Sequence, residues 1–217
     1  MKKLWKVCTL ALSFLMLFTV AGCGGQSSDQ VTLRVYNWGD YIDEDVLAQF
    51  EEQNPDIHVV YDTFDSNESM LAKMDGGVQY DVLIPSDYMI EKLIQEDRLA
   101  ELDLSQIPNY ANIDDSFKNL AYDPDNKYSV PYTWGTLGIM YNTTMVDETV
   151  DSWNILWEEK YKGNIIMYDS SRDSMAVALR KLGYSVNTKN DAEIEAAAQA
   201  LTSQKPLVKA YMTDAIK

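Results

Sequence analysis

The stretch Thr32-Leu33-Arg34-Val35-Tyr36-Asn37-Trp38-Gly39-Asp40-Tyr41 decides how the rest of the chain is read. Its first half alternates apolar and polar residues, as a half-buried strand does, and Gly39 permits a sharp exit. Trp38, Asp40 and Tyr41 then fall at the carboxyl end of a strand, where open α/β sheets place their ligands. Two aromatics bracketing a carboxylate suit an organic cation. An ammonium over an indole face gains roughly 0.5 to 2 kcal/mol, and a carboxylate adds a charge-assisted hydrogen bond. On these residues alone the plainer reading, a Trp and a Tyr at the edge of a core, is the commoner one.

Downstream the pattern repeats. Asp43 is placed to cap a helix in which Val46, Leu47 and Phe50 share a face, stopped at Asn54-Pro55. Ile57 to Phe64 reads as a β-branched strand. A helix follows from Ser66-Asn67-Glu68, with Met70, Leu71 and Met74 on one side, ending at Gly76-Gly77. Tyr80 to Ile84 reads as a third strand, whose continuous apolar run suits a sheet covered on both faces. Pro85-Ser86-Asp87-Tyr88 leads into a helix carrying Met89, Ile90, Leu93 and Ile94. Strand and helix alternate three times, which predicts a parallel, doubly wound α/β sheet. Ser86 and Tyr88 join Trp38, Asp40 and Tyr41 at one crevice.

The pattern weakens from Leu102 to Asp125. Asp123-Pro124-Asp125-Asn126 lacks the Gly and closing Glu of a calcium loop and reads as a turn. Tyr128 to Tyr132 and Leu137 to Tyr141 read as short strands around Thr133-Trp134-Gly135-Thr136, a reasonable crossing between lobes. Next come a helix around Trp153 to Tyr161, a strand Asn164 to Tyr168 and a helix Arg172 to Leu182. A last helix spans about Asp191 to Ser203, with a strand at Leu207 to Met212.

The first 22 residues read as an export signal: Lys2, Lys3 and Lys6, then an apolar run from Val7 to Val20. Val20-Ala21-Gly22-Cys23 resembles the lipobox of bacterial lipoproteins, in which the chain is cut before Cys23 and that sulfur is lipidated. Cys8 leaves with the signal, so no internal disulfide is expected. Residues 23–30 form a Gly/Ser-rich tether. Cleavage leaves 15 basic against 34 acidic residues, a formal charge of −19. That balance argues against nucleic acid and favours the approach of a small polycation, although an acidic surface is also a general aid to solubility.

Catalytic inventories are thin. His58 is the single histidine and lies in a strand, where a partly buried structural imidazole is expected. Histidine triads and multi-histidine metal sites therefore lack parts, and there is no phosphate-cradling glycine loop or nucleophile elbow. No enzyme activity, cofactor or metal is expected.

Several motifs in order resemble one family. They are Tyr36-Asn37-Trp38 with Asp40-Tyr41, Ser66-Asn67-Glu68, Tyr80-Asp81-Val82 through Pro85-Ser86, Tyr128 to Tyr132 with Trp134-Gly135, and Ala178 to Ser185. Together they are similar to the spermidine/putrescine-binding proteins of bacterial polyamine ABC transporters. The resemblance implies a two-lobed periplasmic-binding-protein-like (type II) α/β fold, with a first lobe over 31–134 and a second over 135–217. It implies a monomer that closes over a linear polyamine outside the cell and hands it to permease subunits.

By that resemblance Trp38 and Tyr41 line an aromatic slot, Asp40 holds an ammonium, and Ser86 and Tyr88 add a hydrogen bond and a wall. Trp134 is a candidate for the cleft floor or for core. The family's acidic pair in the second lobe falls on Ser170 and Asp173; the first carboxylate is replaced by Ser170, with Asp169 immediately before it. Family members continue beyond the position of Lys217, so a fragment with an unfinished second lobe is expected. Rival readings are another solute (amino acid, sugar or iron) on the same scaffold, and an extracellular sensor lipoprotein.

Overall fold

The computed structural model describes residues 30–213. The export signal, Cys23 and nearly all of the tether lie outside the described residues. The first sheet comprises β1 (Val31–Trp38), β2 (Ile57–Phe64) and β3 (Val82–Leu83), ordered β2-β1-β3. All pairings are parallel, with Val31 opposite Ile57, Trp38 opposite Phe64 and Val35 opposite Val82. Parallel neighbours require crossover connections, supplied by the helices α1 (Glu44–Gln53) and α2 (Asn67–Asp75). The helix α3 (Asp87–Gln95) follows β3.

Side chains two apart on a strand share a face. Tyr36, Phe64, Met70, Met89 and Leu93 make one buried cluster, with Trp38, Tyr80 and Tyr88 packed at its margin. Met70 comes from α2, and Met89 and Leu93 from α3. Ser66 starts α2 with a reciprocal capping box involving Ser69, and Asp43 accepts the Asp45 amide at the start of α1.

Three expectations for this region are corrected. The shared face of α1 is not buried: Val46 is 53 % and Phe50 37 % exposed. β3 is two residues long, and Val82 is 41 % exposed rather than covered on both sides. Asp81 turns its carboxylate onto the Arg34 amide (2.7 Å), and Pro85 has no N–H to extend the ladder. His58 is exposed, because β2 lies at the sheet edge; its Nδ1 sits 3.0 Å from Glu51 Oε1.

The second sheet pairs β4 (Ile165–Tyr168) with β5 (Val208–Met212) in parallel. Between them run α4 (Ser171–Lys181) and α5 (Asp191–Gln204). Ile165, Met167, Val177 and Leu207 form its core, and Ala178, Leu179 and Ala197 join the two helices. Gln204 is buried, and its amide donates to the Leu156 carbonyl (3.0 Å).

The connection between the sheets holds further corrections. The segments Tyr128–Tyr132 and Leu137–Tyr141 join no strand ladder among the described residues, and every residue from 132 to 138 is exposed. A strand exists by pairing, and at the start of the first segment side chains take the backbone groups instead: the Tyr128 amide donates to Asp123 and the Ser129 carbonyl accepts from Asn126. The helix expected over Trp153–Tyr161 is two short 3₁₀ turns, Trp153–Trp157 and Glu159–Tyr161, parted by extended backbone at Glu158. Asp123–Asn126 is the turn that was expected. The Asp123 carboxylate is buried and accepts the Lys127 and Tyr128 amides and the Ser129 hydroxyl.

Candidate ligand-binding site

β1 delivers the first part of the site. The buried Asn37 folds its side-chain carbonyl back to accept the Trp38 amide (2.7 Å), which fixes the strand's exit. The Trp38 ring lies 4.7 Å from Phe64 and 5.9 Å from Tyr41. Tyr36 meets Phe64 edge-on at 4.9 Å and stacks on Tyr80 at 4.2 Å. A continuous run of rings, Tyr80-Tyr36-Phe64-Trp38-Tyr41, thus leads from the core to the surface. Contacts of this geometry reinforce apolar burial.

At its outer end lies a cavity of about 270 Å³ lined by Trp38, Gly39, Asp40, Tyr41, Thr63, Phe64, Asp65, Tyr168 and Thr213. Its walls come from the carboxyl ends of β1, β2, β4 and β5, so both sheets contribute. The volume is near the lower end of the range for small-molecule sites, roughly 300 to 1,000 Å³. Two carboxylates, Asp40 and Asp65, face aromatic walls there, and no Lys or Arg is among the lining residues. The Tyr132 hydroxyl donates to the Tyr41 carbonyl, tying the inter-sheet segment to the aromatic loop.

Ser86 and Tyr88 are not among the residues that line this cavity and belong to a second cluster. The Asn67 amide donates to the Ser86 hydroxyl and to the Tyr88 hydroxyl, both at 3.0 Å, while its carbonyl accepts the Ser86 amide (3.1 Å). The Tyr88 hydroxyl donates to Glu68 (2.9 Å). Burial, above all, pushes the Tyr88 phenol well above its usual range; Asn67 opposes the shift, and the charges of Glu68 and Asp173 add to it. The phenol is therefore protonated under physiological conditions. The Arg172 guanidinium lies over the Tyr88 ring at 5.8 Å and is held by Asn187 (2.6 Å).

The remaining candidates divide. Asp173 acts electrostatically on Tyr88 from the first turn of α4. Ser170 caps α4, its hydroxyl accepting the Asp173 amide (3.2 Å). Asp169 continues the β4 ladder, its amide donating to the Met212 carbonyl (2.8 Å), and is exposed beside Tyr168. Trp134 stands outside the cavity, 68 % exposed and 5.5 Å from Phe117.

Sequence reasoning missed Thr63, Phe64, Asp65, Tyr168 and Thr213 as lining residues and Asn67 and Glu68 as supports. The strand-end rule applied to β1 would have found Phe64 and Asp65 had it been applied to β2 as well.

Residues 45–216 match the family model for bacterial extracellular solute-binding proteins. The chain belongs to this family. This chain is 40 % identical, over 87 % of its length, to the spermidine/putrescine-binding periplasmic protein of Salmonella typhimurium, of which it covers 55 %. Among solved structures it resembles a spermidine/putrescine ABC transporter protein from Listeria monocytogenes, with a TM-score of 0.80, 45 % identity, and 85 % of this chain and 58 % of that chain covered. It also resembles the Tp0655 lipoprotein of Treponema pallidum, with a TM-score of 0.77, 36 % identity, and 85 % and 58 % covered. Its fold is therefore that of the periplasmic binding proteins. The chain spans little more than half the length of these relatives.

Proposed function

We propose that this solute-binding chain captures linear polyamines, spermidine or putrescine, outside the cell and delivers them to an ABC permease. It acts by binding as a monomer, without chemistry of its own. The observation that carries the reading is the cavity that gathers Trp38, Asp40, Tyr41, Phe64, Asp65 and Tyr168 at strand ends from two sheets. Carboxylates pair with ammonium groups, and flat rings cover the methylenes between them. The names of the similar Salmonella and Listeria proteins support the same class of ligand.

In this reading Ser86, Tyr88 and Asp173 extend the site along the crevice. Asp169 contributes charge at its edge, Ser170 frames the α4 end, and Trp134 is a wall that closure brings in. The lobe boundary lies at Trp134–Gly135, within the exposed run. Cys23 carries a lipid that holds the protein at the outer face of the membrane, a reading supported by the Treponema relative's description as a lipoprotein.

Titration calorimetry tests the ligand class. The mature chain is expected to release heat with spermidine or putrescine and none with an amino-acid panel. Asp40→Asn is expected to weaken polyamine binding by roughly tenfold, the loss of one charge-assisted contact. Binding of an amino acid with indifference to both polyamines overturns the reading.

A further inference from the structure

We propose that Glu68 is a further ammonium-binding residue and that Asn67 is the positioning residue that sets Ser86 and Tyr88 for it. The inference rests on the polyamine reading and names groups at the Tyr88 end of the same crevice. Asn67 is 3 % exposed, and its side chain makes three hydrogen bonds, all to Ser86 and Tyr88. Two of them direct N–H groups at hydroxyl oxygens. Each hydroxyl has one proton and two lone pairs, so accepting from Asn67 fixes how the remainder is used.

For Tyr88 the outcome is determined. Its oxygen accepts from Asn67, its proton goes to Glu68 at 2.9 Å, and one lone pair is left for an incoming donor. A primary ammonium offers three N–H donors and no acceptor. An amide-bearing solute would gain less at an oxygen whose proton is already committed. Glu68 stands at the amino end of α2, is exposed, and brings a full negative charge to the phenol oxygen from the first sheet's side. Asp173 brings another from the second. Arg172 lies over the Tyr88 ring face and is held there by Asn187 at 2.6 Å, while the phenol oxygen itself is engaged by Asn67 and Glu68.

The geometry also connects the two ends of the site. Asp65 lines the aromatic cavity from the two-residue β2–α2 connection, and Asn67 and Glu68 follow it as the first two residues of α2. The end of β2 and the first turn of α2 therefore carry acidic groups, Asp65 and Glu68, for two ammonium positions. Ser170, where the family resemblance calls for a carboxylate, has its hydroxyl engaged in capping α4. Glu68 and Asp173 are the carboxylates that bear on Tyr88.

The test is calorimetry on the mature chain and its Glu68→Gln, Asn67→Ala and Glu52→Gln variants, each titrated with spermidine and with its two mono-acetylated isomers. Glu68→Gln and Asn67→Ala are expected to weaken spermidine binding by roughly tenfold. With the isomer whose blocked nitrogen falls at Tyr88, the Glu68→Gln penalty is expected to drop to about twofold or less, because no ammonium remains there to lose. Glu52→Gln, on exposed α1, is expected to change nothing. A Glu68→Gln variant that binds spermidine as the unmodified chain does overturns the inference, and so does an equal penalty with all three ligands, which marks a purely structural role. Because Glu68 is exposed, its substitution leaves folding intact even if Asn67→Ala does not fold. An unmodified chain that binds none of the three ligands rejects the polyamine reading itself.

Discussion

Replacing Lys73 by Met removes an ammonium that the fold already holds over two aromatic rings. Lys73 Nζ lies 3.0 Å from Asp62 Oδ2, and it sits over the Tyr36 and Tyr80 rings at 4.8 and 5.5 Å. The Tyr80 hydroxyl donates to the same Asp62 oxygen at 2.7 Å. Both charged side chains are about two-fifths exposed, at 39 % and 38 %, so the ion pair is partly screened. A pair of that kind contributes about 0.5–1 kcal/mol, and the ring contact about 0.5–1 kcal/mol. Met keeps most of the apolar stem. The expected cost is about 1–2 kcal/mol, read by thermal unfolding as a fall in Tm of about 2–8 °C for a chain of this size.

The sign of the pH dependence follows from the two partners. The Tyr80 hydroxyl first, then Lys73, hold the Asp62 carboxyl below its ordinary range. Its contribution is therefore present above the unfolded pKa and lost as pH falls through the folded one. Tyr80 and Asp62 hold the Lys73 ammonium above its ordinary range. Its share persists at neutral and mildly alkaline pH and is lost only as pH rises through the folded pKa. The gap between the Lys73→Met variant and the unmodified chain should be constant from about pH 5 to 9 and shrink below about pH 4. Equal melting temperatures at pH 7, or a gap at pH 3 as large as at pH 7, would refute this account.

Asn37→Ala leaves the Trp38 amide without its acceptor in a buried setting, and a loss of about 1–3 kcal/mol is expected by urea titration, with a shift in tryptophan emission. Ser170→Ala removes the α4 cap and is expected to cost about 0.5–2 kcal/mol by the same assay. If capping is its main task, spermidine affinity should change by no more than about twofold, or about 0.4 kcal/mol.

The first sheet was legible because its signals are local. Alternation in β1, the capping residues Asp43 and Ser66, and the apolar spacing of α2 and α3 each act within a few residues, and all reappear in the fold. The misreadings concern pairing and coverage, which depend on distant chain. Leu137–Tyr141 has the composition of a strand, yet Met140 is 99 % exposed and no ladder forms. Val46 and Phe50 share the spacing of a buried stripe on a helix that buries none of its residues. His58 is exposed because β2 is at an edge, a fact of strand order. For the site, Trp38, Asp40 and Tyr41 were legible from a single strand end. Tyr168 and Thr213 were not, since they line the cavity only through the placement of one sheet against the other.

The Lys73 cluster also bears on the proposal that the cavity takes an ammonium. Tyr36 and Trp38 are two apart on β1, as Asp62 and Phe64 are on β2, so each pair shares a face of the sheet. Phe64 touches both Tyr36 and Trp38. Moving one step toward the strand ends exchanges the ring Tyr36 for Trp38, and the carboxylates lining the cavity there, Asp40 and Asp65, come from just beyond the ends of β1 and β2. What changes is access: the inner position is filled by a covalently attached ammonium, and the outer one opens into a cavity whose lining carries no Lys or Arg. A free amine entering there meets the combination of ring face and carboxylate that the fold uses for its own lysine, held this time by reversible contacts.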